Sequence, residues 1–414
     1  MIIGSPVTCG SCYHTIISIT LSFLSLLSIY PMSFPRLGIL GGGQLGKMLC
    51  QAGADWHLPI YVLDQNHSFP AANYATVFTS GDFRSKRDVL EFGRKMDVVT
   101  IEIEHIDTEA LHQLEAEGIK VYPQPGVVDR IKDKGLQKQF YAENDIPTSA
   151  YQLFNDASEI WTAVAGGQLA LPFVQKSRTG GYDGQGVAVI RNSADMETKL
   201  LDAPCVVEDL VDIDKELAII VARSPSGEMR VFPTVEMEFH PTANLVEFLV
   251  CPAAVDSDTD ARAAALARQV TEGMDIVGLL AVELFLTPAG EILVNEVAPR
   301  PHNSGHHTIE ACMTSQYEQH LRAILDLPLG PTDLIRPGAM INLLGAEGFN
   351  GPAVYDGWEK LLAIPEVYPH LYGKAETRPF RKMGHVTALG DTVEMARQRA
   401  SAAKEAVRIV SASG

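Results

Sequence analysis

A short apolar run near the start of the chain ends directly in a glycine-rich turn. Leu37–Leu40 predicts a strand, Gly41-Gly-Gly-Gln-Leu-Gly46 follows it, and a helical stretch continues through Ala52. Glycines let a backbone approach a phosphate, and the first turn of a helix offers unpaired N–H groups to an anion. The pattern predicts a βα unit with a phosphate site. Taken alone, with Asp64 ending the next strand, it also fits a nicotinamide dinucleotide turn.

Further apolar runs alternate with helical stretches in the same region. Ile60–Leu63, Val98–Ile101 and Ile119–Val121 each predict a strand. Strands separated by helices indicate βαβ units and a parallel sheet. We therefore predict an α/β fold that begins with a Rossmann-like domain over residues 32–130.

The remainder predicts two more domains, a larger one over residues 131–330 and a small, β-rich C-terminal domain over residues 331–414. A basic helix over Ile131–Asn144 opens the larger domain, and Asp256–Gly273 predicts a surface helix. Its predicted strands are Pro172–Gln175, Val187–Ile190, Cys205–Glu208, Glu216–Val221, Leu279–Leu286 and Glu291–Val297.

Residues 1–31 do not conform to this pattern. The first charged side chain is Arg36, and the apolar run Thr15–Tyr30 is short for a membrane span. No Lys or Arg precedes that run, as a signal peptide would require. We interpret residues 1–31 as an upstream start-site artefact or a dispensable extension before Met32, with a secretory leader as the alternative.

Charge and cysteine content restrict the partners and the compartment. A net charge of −18 would repel phosphate backbones, so we expect no nucleic-acid partner, and we expect no membrane partner either. Six scattered cysteines do not form a disulfide framework, which favours a cytoplasmic protein.

A second glycine-rich segment lies between two predicted strands. It runs from Lys176 to Gly186 as KSRTGGYDGQG, with four glycines within seven residues. Such a flap can fold its N–H groups over polyphosphate oxygens, and Lys176 could reach the same phosphates. The segment is neither a Walker A loop nor a kinase glycine loop.

Two acidic side chains lie on neighbouring apolar strands. Glu283 and Glu296 would be costly to bury unless they were paired or bound a cation. Oxygen ligands beside polyphosphate indicate Mg²⁺, and Asn295 either faces away or adds a ligand. The polar loop after Ala298 places His302 and His306 four residues apart. Pro301 and Gly305 oppose a helix there, so a substrate contact is favoured over zinc.

Together these segments resemble the ATP-grasp superfamily, and more narrowly the family of N5-carboxyaminoimidazole ribonucleotide synthases. The segments that carry the resemblance are GGGQLGKML, KSRTGGYDGQG, NEVAPRPHNSGHHT and RPFRKMGH, and it extends from about Phe34 past residue 390. It implies an ATP-grasp domain over residues 131–330. It also implies that the first glycine-rich turn binds a substrate phosphate rather than nicotinamide.

Carried over by position, the resemblance implies roles for individual residues. The implied ATP contacts are Arg130, Lys176, Gly181, Tyr182, Asp183, Gly184, Gln185, Gly186, Val187, Glu208, Asp209, Leu210, Val211, Glu216, His240, Asn295 and Glu296. The implied catalytic residues are Tyr182, Asp183, Arg300, His302 and Asn303. The implied substrate contacts are Gln44 and Leu45 with Lys374 and Arg378, while Arg381 and Lys382 lie closer to the nucleotide.

The resemblance thus implies a carbon–nitrogen ligase of purine biosynthesis. Its substrates would be ATP, bicarbonate and 5-aminoimidazole ribonucleotide, its metal Mg²⁺, and its assembly a homodimer. Three alternatives stay open at this point: an ATP-grasp ligase with another acceptor, a nicotinamide-dependent oxidoreductase, and a nucleotide-binding regulatory protein.

Overall fold

A computed structural model of the chain describes residue 1 and residues 34–181, 186–239 and 246–412. The chain divides into two units, Met1–Pro35 and Arg36–Gly414, and all the helices and strands below lie in the second. Among the described residues, no helix combines the length and apolar character needed to cross a bilayer.

The first part of this unit is a parallel sheet flanked by helices. In chain order its elements are β1 (Leu37–Leu40), α1 (Gln44–Ala54), β2 (Ile60–Asp64), β3 (Val77–Ser80), α2 (Lys86–Gly93), β4 (Val98–Ile101), α3 (Thr108–Ala116), β5 (Lys120–Val121) and α4 (Pro125–Lys132). The strand order is β3-β2-β1-β4-β5, and every neighbouring pair is parallel. The predicted Rossmann-like sheet is confirmed. Its order reverses beside β1, where ligands bind in such sheets.

A four-stranded antiparallel sheet follows. Its elements are α5 (Lys134–Glu143), β6 (Tyr151–Phe154), α6 (Ala157–Ala165), β7 (Phe173–Ser177), β8 (Val187–Ile190), α7 (Ser193–Lys199) and β9 (Cys205–Asp209). The order is β6-β9-β7-β8. Phe173 and Val207 pack with Ile160 of α6 in one apolar cluster. Because side chains alternate along a strand, Lys176 and Glu208 face the other way, toward the site.

A second antiparallel region carries the paired carboxylates. Its elements are β10 (Lys215–Arg223), β11 (Met229–Val231), β12 (Val235–Phe239), β13 (Val246–Cys251), α8 (Ser257–Met274), β14 (Gly278–Leu286), β15 (Ile292–Ala298), α9 (Thr308–Ala311) and α10 (Gln316–Ile324). The last elements are β16 (Gly338–Leu344), β17 (Gly351–Asp356), α11 (Trp358–Leu362), β18 (Val367–Leu371), β19 (Glu376–Thr377), β20 (Lys382–Leu389), α12 (Val393–Ala406) and β21 (Arg408–Ser411).

One large sheet joins the middle and C-terminal parts of the chain. Its order is β15-β14-β10-β12-β13-β16-β20-β18, with β11 added beside β10, and β19-β17-β21 form a small separate sheet. The connection is the antiparallel pair β13–β16. The β-rich C-terminal region and the mixed α/β class are confirmed. The domain boundaries near residues 130 and 330 stay predictions. Strands on both sides of residue 330 belong to this one sheet.

One helix prediction needs correction, and another is confirmed. The single helix over Ile131–Asn144 is wrong, because the chain breaks at Asp133 between α4 and α5. The Asp133 carboxylate accepts from the N–H groups of Gly135 and Leu136 and so caps a new helix. The predicted surface helix over Asp256–Gly273 is confirmed as α8: one face is exposed, and Ala263 and its neighbours along the other face are buried in the core beneath β10 and β14.

Candidate functional site

Two glutamates face each other across the β14–β15 hairpin. Glu283 and Glu296 are register partners, and the register shifts beside Glu283 so that Asn295 is an extra residue in β15. Such a bulge re-aims side chains. The amide oxygen of Asn295 accepts from the Lys176 ammonium at 2.9 Å. Asn295 therefore lies on the site side of the hairpin, which settles the orientation that the sequence left open.

The two carboxyl groups have opposite pKa shifts. Burial raises the pKa of Glu283, and the charges of Glu296 and Glu216 raise it further. The pKa of Glu296 is lowered, mainly because the Lys134 ammonium contacts its carboxylate. A partly buried pair of this kind favours a shared cation.

These oxygens fit Mg²⁺, which often takes one or two protein carboxylates and completes its shell with water and substrate phosphates. Within the described ranges, no group of three or more His, Cys, Asp or Glu side chains is arranged around a metal position. A metal held by the Glu283–Glu296 pair would need its remaining ligands from water or from a bound substrate.

The buried carboxylate of Glu208 forms ion pairs with two nearby lysines. Glu208 lies 3.2 Å from the Lys176 ammonium and 3.3 Å from that of Lys138, and the Ser149 hydroxyl donates to it at 2.7 Å. Burial would raise the pKa of Glu208, but the two lysines outweigh this and lower it. The Glu208 side chain is thus engaged in positioning Lys176. The backbone of Glu208 pairs with β6 and β7, so the expected adenine contact of this residue stays a prediction.

The structure places Lys134, which the sequence analysis did not select, at the carboxylate pair. Its ammonium contacts Glu296, and the negative charges of Glu208 and Glu283 also raise its pKa. Arg130, which the resemblance assigns to ATP, has its guanidinium over the ring of Phe140, 5.0 Å from the centroid. The two cations are separated by the helix break at Asp133. Lys134 is therefore a further candidate for a phosphate contact, and the ATP contact of Arg130 stays a prediction.

Glu216 lies on the same sheet face as the metal candidates. It is opposite Phe285 of β14, while Ala218, two residues further along β10, is opposite Glu283. Since side chains two residues apart share a face, Glu216 and Glu283 point to the same side. Burial raises the pKa of Glu216 to about 7. The position suits an acceptor for ribose hydroxyls.

Glu216→Gln is expected to stabilise the protein increasingly as pH rises. The folded-state pKa of about 7 lies above the ordinary value of 4.5. Between these values the folded carboxyl retains a proton that the unfolded chain has lost, so wild-type stability falls with rising pH. We expect the variant to gain about 1–3 kcal/mol at about pH 8 relative to about pH 5. Urea unfolding measures this, and a gain that does not depend on pH would contradict the assignment.

The polar loop between β15 and α9 supplies three further candidates. Arg300 forms an ion pair with Glu104 at 2.8 Å, a partner that the sequence analysis missed. The His302 ring lies 3.4 Å from the Glu283 carboxylate. Both amide atoms of the Asn303 side chain are buried without a hydrogen-bond partner among the described residues. Buried polar atoms in this state fit a position that a ligand completes.

His306 belongs to a buried stack of rings and not to a metal pair with His302. Its Nδ1 is 2.8 Å from the Tyr317 hydroxyl, and its ring centroid is 4.5 Å from that of His385. Burial lowers the pKa of His306 well below its ordinary value. Residues Asn303–Gly305 form a 3₁₀ turn, so the four-residue spacing does not put the two rings on one helix face.

Two carboxylates already occupy much of the first glycine-rich turn. Glu102, directly after β4, accepts from the N–H groups of Gly43 at 2.7 Å and Gly46 at 2.8 Å, and Asp64 accepts from Gly42 at 2.6 Å. A Cβ on Gly43 would lie 2.5 Å from the Glu102 carboxylate. The glycines therefore admit a protein carboxylate. This argues against a dinucleotide pyrophosphate in the turn, and the sequence analysis did not identify Glu102.

The N–H groups of Gln44 and Leu45 remain open in the first turn of α1. They have no hydrogen-bond partner in the described part of the chain, because the first N–H groups of a helix have no acceptor within the helix. Such groups can bind an anion. One turn further, the Lys47 ammonium donates to the Leu371 carbonyl at 2.6 Å. This bond connects α1 to the segment that carries Lys374.

The C-terminal basic segment is a shaped loop. The Lys374 ammonium donates to the Lys382 carbonyl at 2.7 Å. Phe380 has a φ of 61°, a left-handed conformation that costs a non-glycine residue about 1–3 kcal/mol. Arg378 is exposed, and its side chain has no partner among the described residues. Strain of this kind concentrates at binding sites, which fits the expected phosphate contact.

Lys382 and Arg381 differ in where their charges act. The charge of Lys382 lowers the pKa of Glu283, so it acts on the carboxylate pair. The Arg381 guanidinium instead donates to the Glu376 carbonyl at 2.6 Å. In the described structure Arg381 thus contacts β19, and the prediction that both residues lie closer to the nucleotide stays a prediction.

A cleft of about 550 Å³ lies beside the hinge after β9. Asp209, Val211 and Leu293 are among the residues that line it. Two of the four hinge residues named from the sequence are therefore at a cavity wall. The flap is described only at its ends, where the Ser177 N–H donates to the Gly186 carbonyl at 2.8 Å. Tyr182, Asp183, Gly184, Gln185 and His240 lie outside the described residues.

Three family models match successive parts of the chain. A ribonucleotide synthetase preATP-grasp domain matches residues 34–132, an ATP-grasp domain residues 139–317, and a phosphoribosylaminoimidazole carboxylase C-terminal domain residues 338–399. The order of the three domains agrees with the predicted order of a Rossmann-like, an ATP-grasp and a C-terminal region.

Individual proteins are similar over most of the chain. The N5-carboxyaminoimidazole ribonucleotide synthase of Bacillus subtilis is 39% identical, over 87% of this chain and 92% of that protein. A chloroplastic phosphoribosylaminoimidazole carboxylase of Vigna aconitifolia is 38% identical, over 86% of this chain and 64% of that longer protein.

Solved structures show the same relation. The N5-carboxyaminoimidazole ribonucleotide synthetase of Thermotoga maritima is 41% identical with a TM-score of 0.84, over 92% of this chain and all of that one. The Aspergillus clavatus enzyme, solved with ADP and 5-aminoimidazole ribonucleotide, is 32% identical with a TM-score of 0.82, over 90% of this chain and 98% of that one.

Proposed function

The chain belongs to the family of N5-carboxyaminoimidazole ribonucleotide synthases, and we propose how its residues carry out the reaction of that family. It is an ATP-grasp ligase that carboxylates 5-aminoimidazole ribonucleotide with the use of ATP in purine biosynthesis. The observation that carries this function is the similarity to a synthase of which the chain covers 92%. Neither an oxidoreductase nor a regulatory protein would account for it.

The reaction divides into phosphoryl transfer and carboxylation. Bicarbonate attacks the γ-phosphorus of ATP, ADP leaves, and carboxyphosphate forms. The exocyclic amine of the ribonucleotide then captures carboxyphosphate, or the CO₂ derived from it, and phosphate is released. Phosphoryl transfer requires alignment and charge neutralisation more than covalent chemistry from the protein. The cluster of lysines and glutamates at the β14–β15 hairpin suits this requirement.

Lys176 and Lys134 would bind the ATP phosphates. Lys176 is held by Glu208 and Asn295 and lies at the base of the flap, residues 181–187, which would cover the phosphates. Glu216 would accept from the ribose, and backbone groups of Asp209–Val211 would read the adenine beside the cleft. His240 is retained as a nucleotide contact on the resemblance alone.

Glu283 and Glu296 would hold Mg²⁺, with Asn295 as a further oxygen ligand. When bound, the ion neutralises charge on the β- and γ-phosphates. The two facing, partly buried carboxylates support this assignment, since a shared cation would offset the repulsion between them.

The acceptor would bind between the two glycine-rich segments. The N–H groups of Gln44 and Leu45 would bind its phosphate from one side, because these groups have no partner in the described structure. Lys374 and Arg378 would bind the phosphate from the other side, since the Lys47 ammonium connects α1 to the segment that carries these two cations. Tyr182 and Asp183 would orient the aminoimidazole ring.

The loop after β15 would serve the reactive intermediate. Arg300 would hold bicarbonate or carboxyphosphate, and His302 and Asn303 would line the same space beside Glu283. Carboxyphosphate hydrolyses readily, so closure of the flap over this loop would also exclude water.

Arg378→Ala is expected to raise KM for the ribonucleotide by a factor that corresponds to about 1.5–3 kcal/mol, the size of a charge-assisted hydrogen bond. KM for ATP should change much less, because Arg378 would contact only the acceptor phosphate. Arg408→Ala, which removes an exposed arginine on β21, is the matched control. Steady-state kinetics measures both constants; equal rises in the two, or none, would remove Arg378 from the phosphate site.

ADP release tests the function as a whole. With 5-aminoimidazole ribonucleotide, bicarbonate and Mg·ATP we expect rapid release, and omission of either acceptor component should slow it strongly. Release that favours a different amine acceptor would instead indicate another ATP-grasp ligase.

We propose two further properties, a cytoplasmic location and a homodimeric assembly. The four described cysteines, Cys50, Cys205, Cys251 and Cys312, are buried and free, which supports a reducing, cytoplasmic location. A homodimer is proposed from the family resemblance, and light scattering of the purified protein would test it.

A further inference from the structure

The Lys134 ammonium forms an ion pair with Glu296, one of the two carboxylates proposed to bind the metal. It contacts Glu296, which stands directly opposite Glu283 on the neighbouring strand. The lysine side chain is 20% exposed and that of Glu296 is 42% exposed. The ion pair is therefore reachable from solvent, so burial alone does not keep another cation away from Glu296.

The backbone holds Lys134 firmly at this position. Its N–H donates to the Arg178 carbonyl at 2.9 Å. Arg178 in turn makes a two-pronged ion pair with Asp133, at 2.9 and 2.6 Å, and Asp133 caps α5. Lys134 is the first residue of that helix, so its side chain starts from a fixed point beside the carboxylates and the base of the flap.

We propose that Lys134 acts as a stand-in cation at Glu296 while the nucleotide is absent, so that the metal enters with ATP and not before it. The proposal rests on the proposed metal role of Glu283 and Glu296. A unit charge and a divalent ion at the same carboxylate repel each other by several times the thermal energy at protein-like dielectric values. Metal alone must therefore displace the ammonium from a carboxylate that already has a partner.

Nucleotide binding removes this obstacle. The polyphosphate offers new acceptors for the ammonium within reach of the same lysine, and it brings negative charge that attracts the metal. Lys134 can then move from Glu296 to a phosphate oxygen as the metal takes its place. The order of binding follows: nucleotide and metal together bind well, while the metal alone binds weakly.

The test is a Mn²⁺ titration without nucleotide, followed by electron paramagnetic resonance of the free ion. Lys134→Met should bind Mn²⁺ at least about tenfold more tightly than the wild type, since a repelling charge is gone. Lys132→Met is the matched control, because that ammonium donates to the Ile106 carbonyl and should leave Mn²⁺ binding unchanged. Lys134→Gln guards against a folding defect in the methionine variant, and circular dichroism verifies both.

A wild type that binds Mn²⁺ alone as tightly as Lys134→Met would overturn the proposal. So would a gain in Lys134→Met that survives the second change Glu296→Gln, since the ion would then bind elsewhere. The proposed function is tested separately by titrating Mn·ATP: if Glu296→Gln leaves the binding of Mn·ATP unchanged, the metal assignment itself fails. If that binding weakens while Lys134→Met shows no gain, only the role of Lys134 fails.

Discussion

Glu296→Gln is expected to lower kcat by about 10³-fold or more while the protein stays folded. The substitution retains side-chain volume but removes the charge that faces Glu283 and the Lys134 ammonium. If this carboxylate helps to neutralise the transferring phosphoryl group through its metal, the loss falls on the chemical step. Steady-state kinetics at saturating Mg²⁺ and ATP measures it.

Glu272→Gln is the matched control for this result. Glu272 is an exposed residue of α8, and the same change there should leave kcat unaltered. A Glu296→Gln variant that retains near-normal kcat at high Mg²⁺ would show that the metal lies elsewhere.

Lys176→Met should lower kcat/KM for ATP by about 10²–10³-fold. The ammonium is held between Glu208 and Asn295, and the strand that carries it leads into the flap. Methionine keeps the length of the side chain but offers no charge to the phosphates. Glu208 retains Lys138 and Ser149, so we expect little loss of stability.

Lys199→Met provides the comparison, because Lys199 pairs with Asp195 on the surface of the same region. Lys176→Arg should rescue little, since a planar guanidinium does not fit a position shaped for a compact ammonium. An unchanged KM and kcat for ATP in Lys176→Met would place the phosphates away from β7.

The strands and the carboxylate pair followed from local pattern. Apolar runs such as Leu37–Leu40 and Val98–Ile101 are each confirmed within a residue or two, because burial on both faces of a parallel sheet leaves a continuous apolar signal. Glu283 and Glu296 were found because a charge within an apolar strand conflicts with that signal. Their pairing across the hairpin is confirmed by the register.

The sequence analysis did not select Lys134, because the position of this residue depends on the helix break at Asp133. The capping contacts of Asp133 and its ion pair with Arg178 set where α5 begins, and so where Lys134 lies. Arg178 lies forty-five residues away in the chain, so no local pattern contains this information.

Glu102 was missed for a similar reason. Its carboxylate reaches the glycine-rich turn across fifty-nine residues, through the pairing of β1 with β4. The glycines indicate that another group approaches the backbone of the turn closely, but they do not identify that group. The extension of the large sheet across residue 330 likewise depends on the pairing of β13 with β16, two strands that are distant in sequence.

The fate of labelled bicarbonate decides between this reaction and its alternatives. The enzyme is incubated with Mg·ATP, 5-aminoimidazole ribonucleotide and bicarbonate labelled with ¹³C and ¹⁸O, and the products are followed by ¹³C nuclear magnetic resonance and mass spectrometry. We expect a ¹³C carbamate on the ribonucleotide, one ¹⁸O atom transferred to the released phosphate, and one ADP per carbamate. Phosphate without ¹⁸O, or ADP formed at the same rate without bicarbonate and ribonucleotide, would contradict carboxylation through carboxyphosphate by this protein.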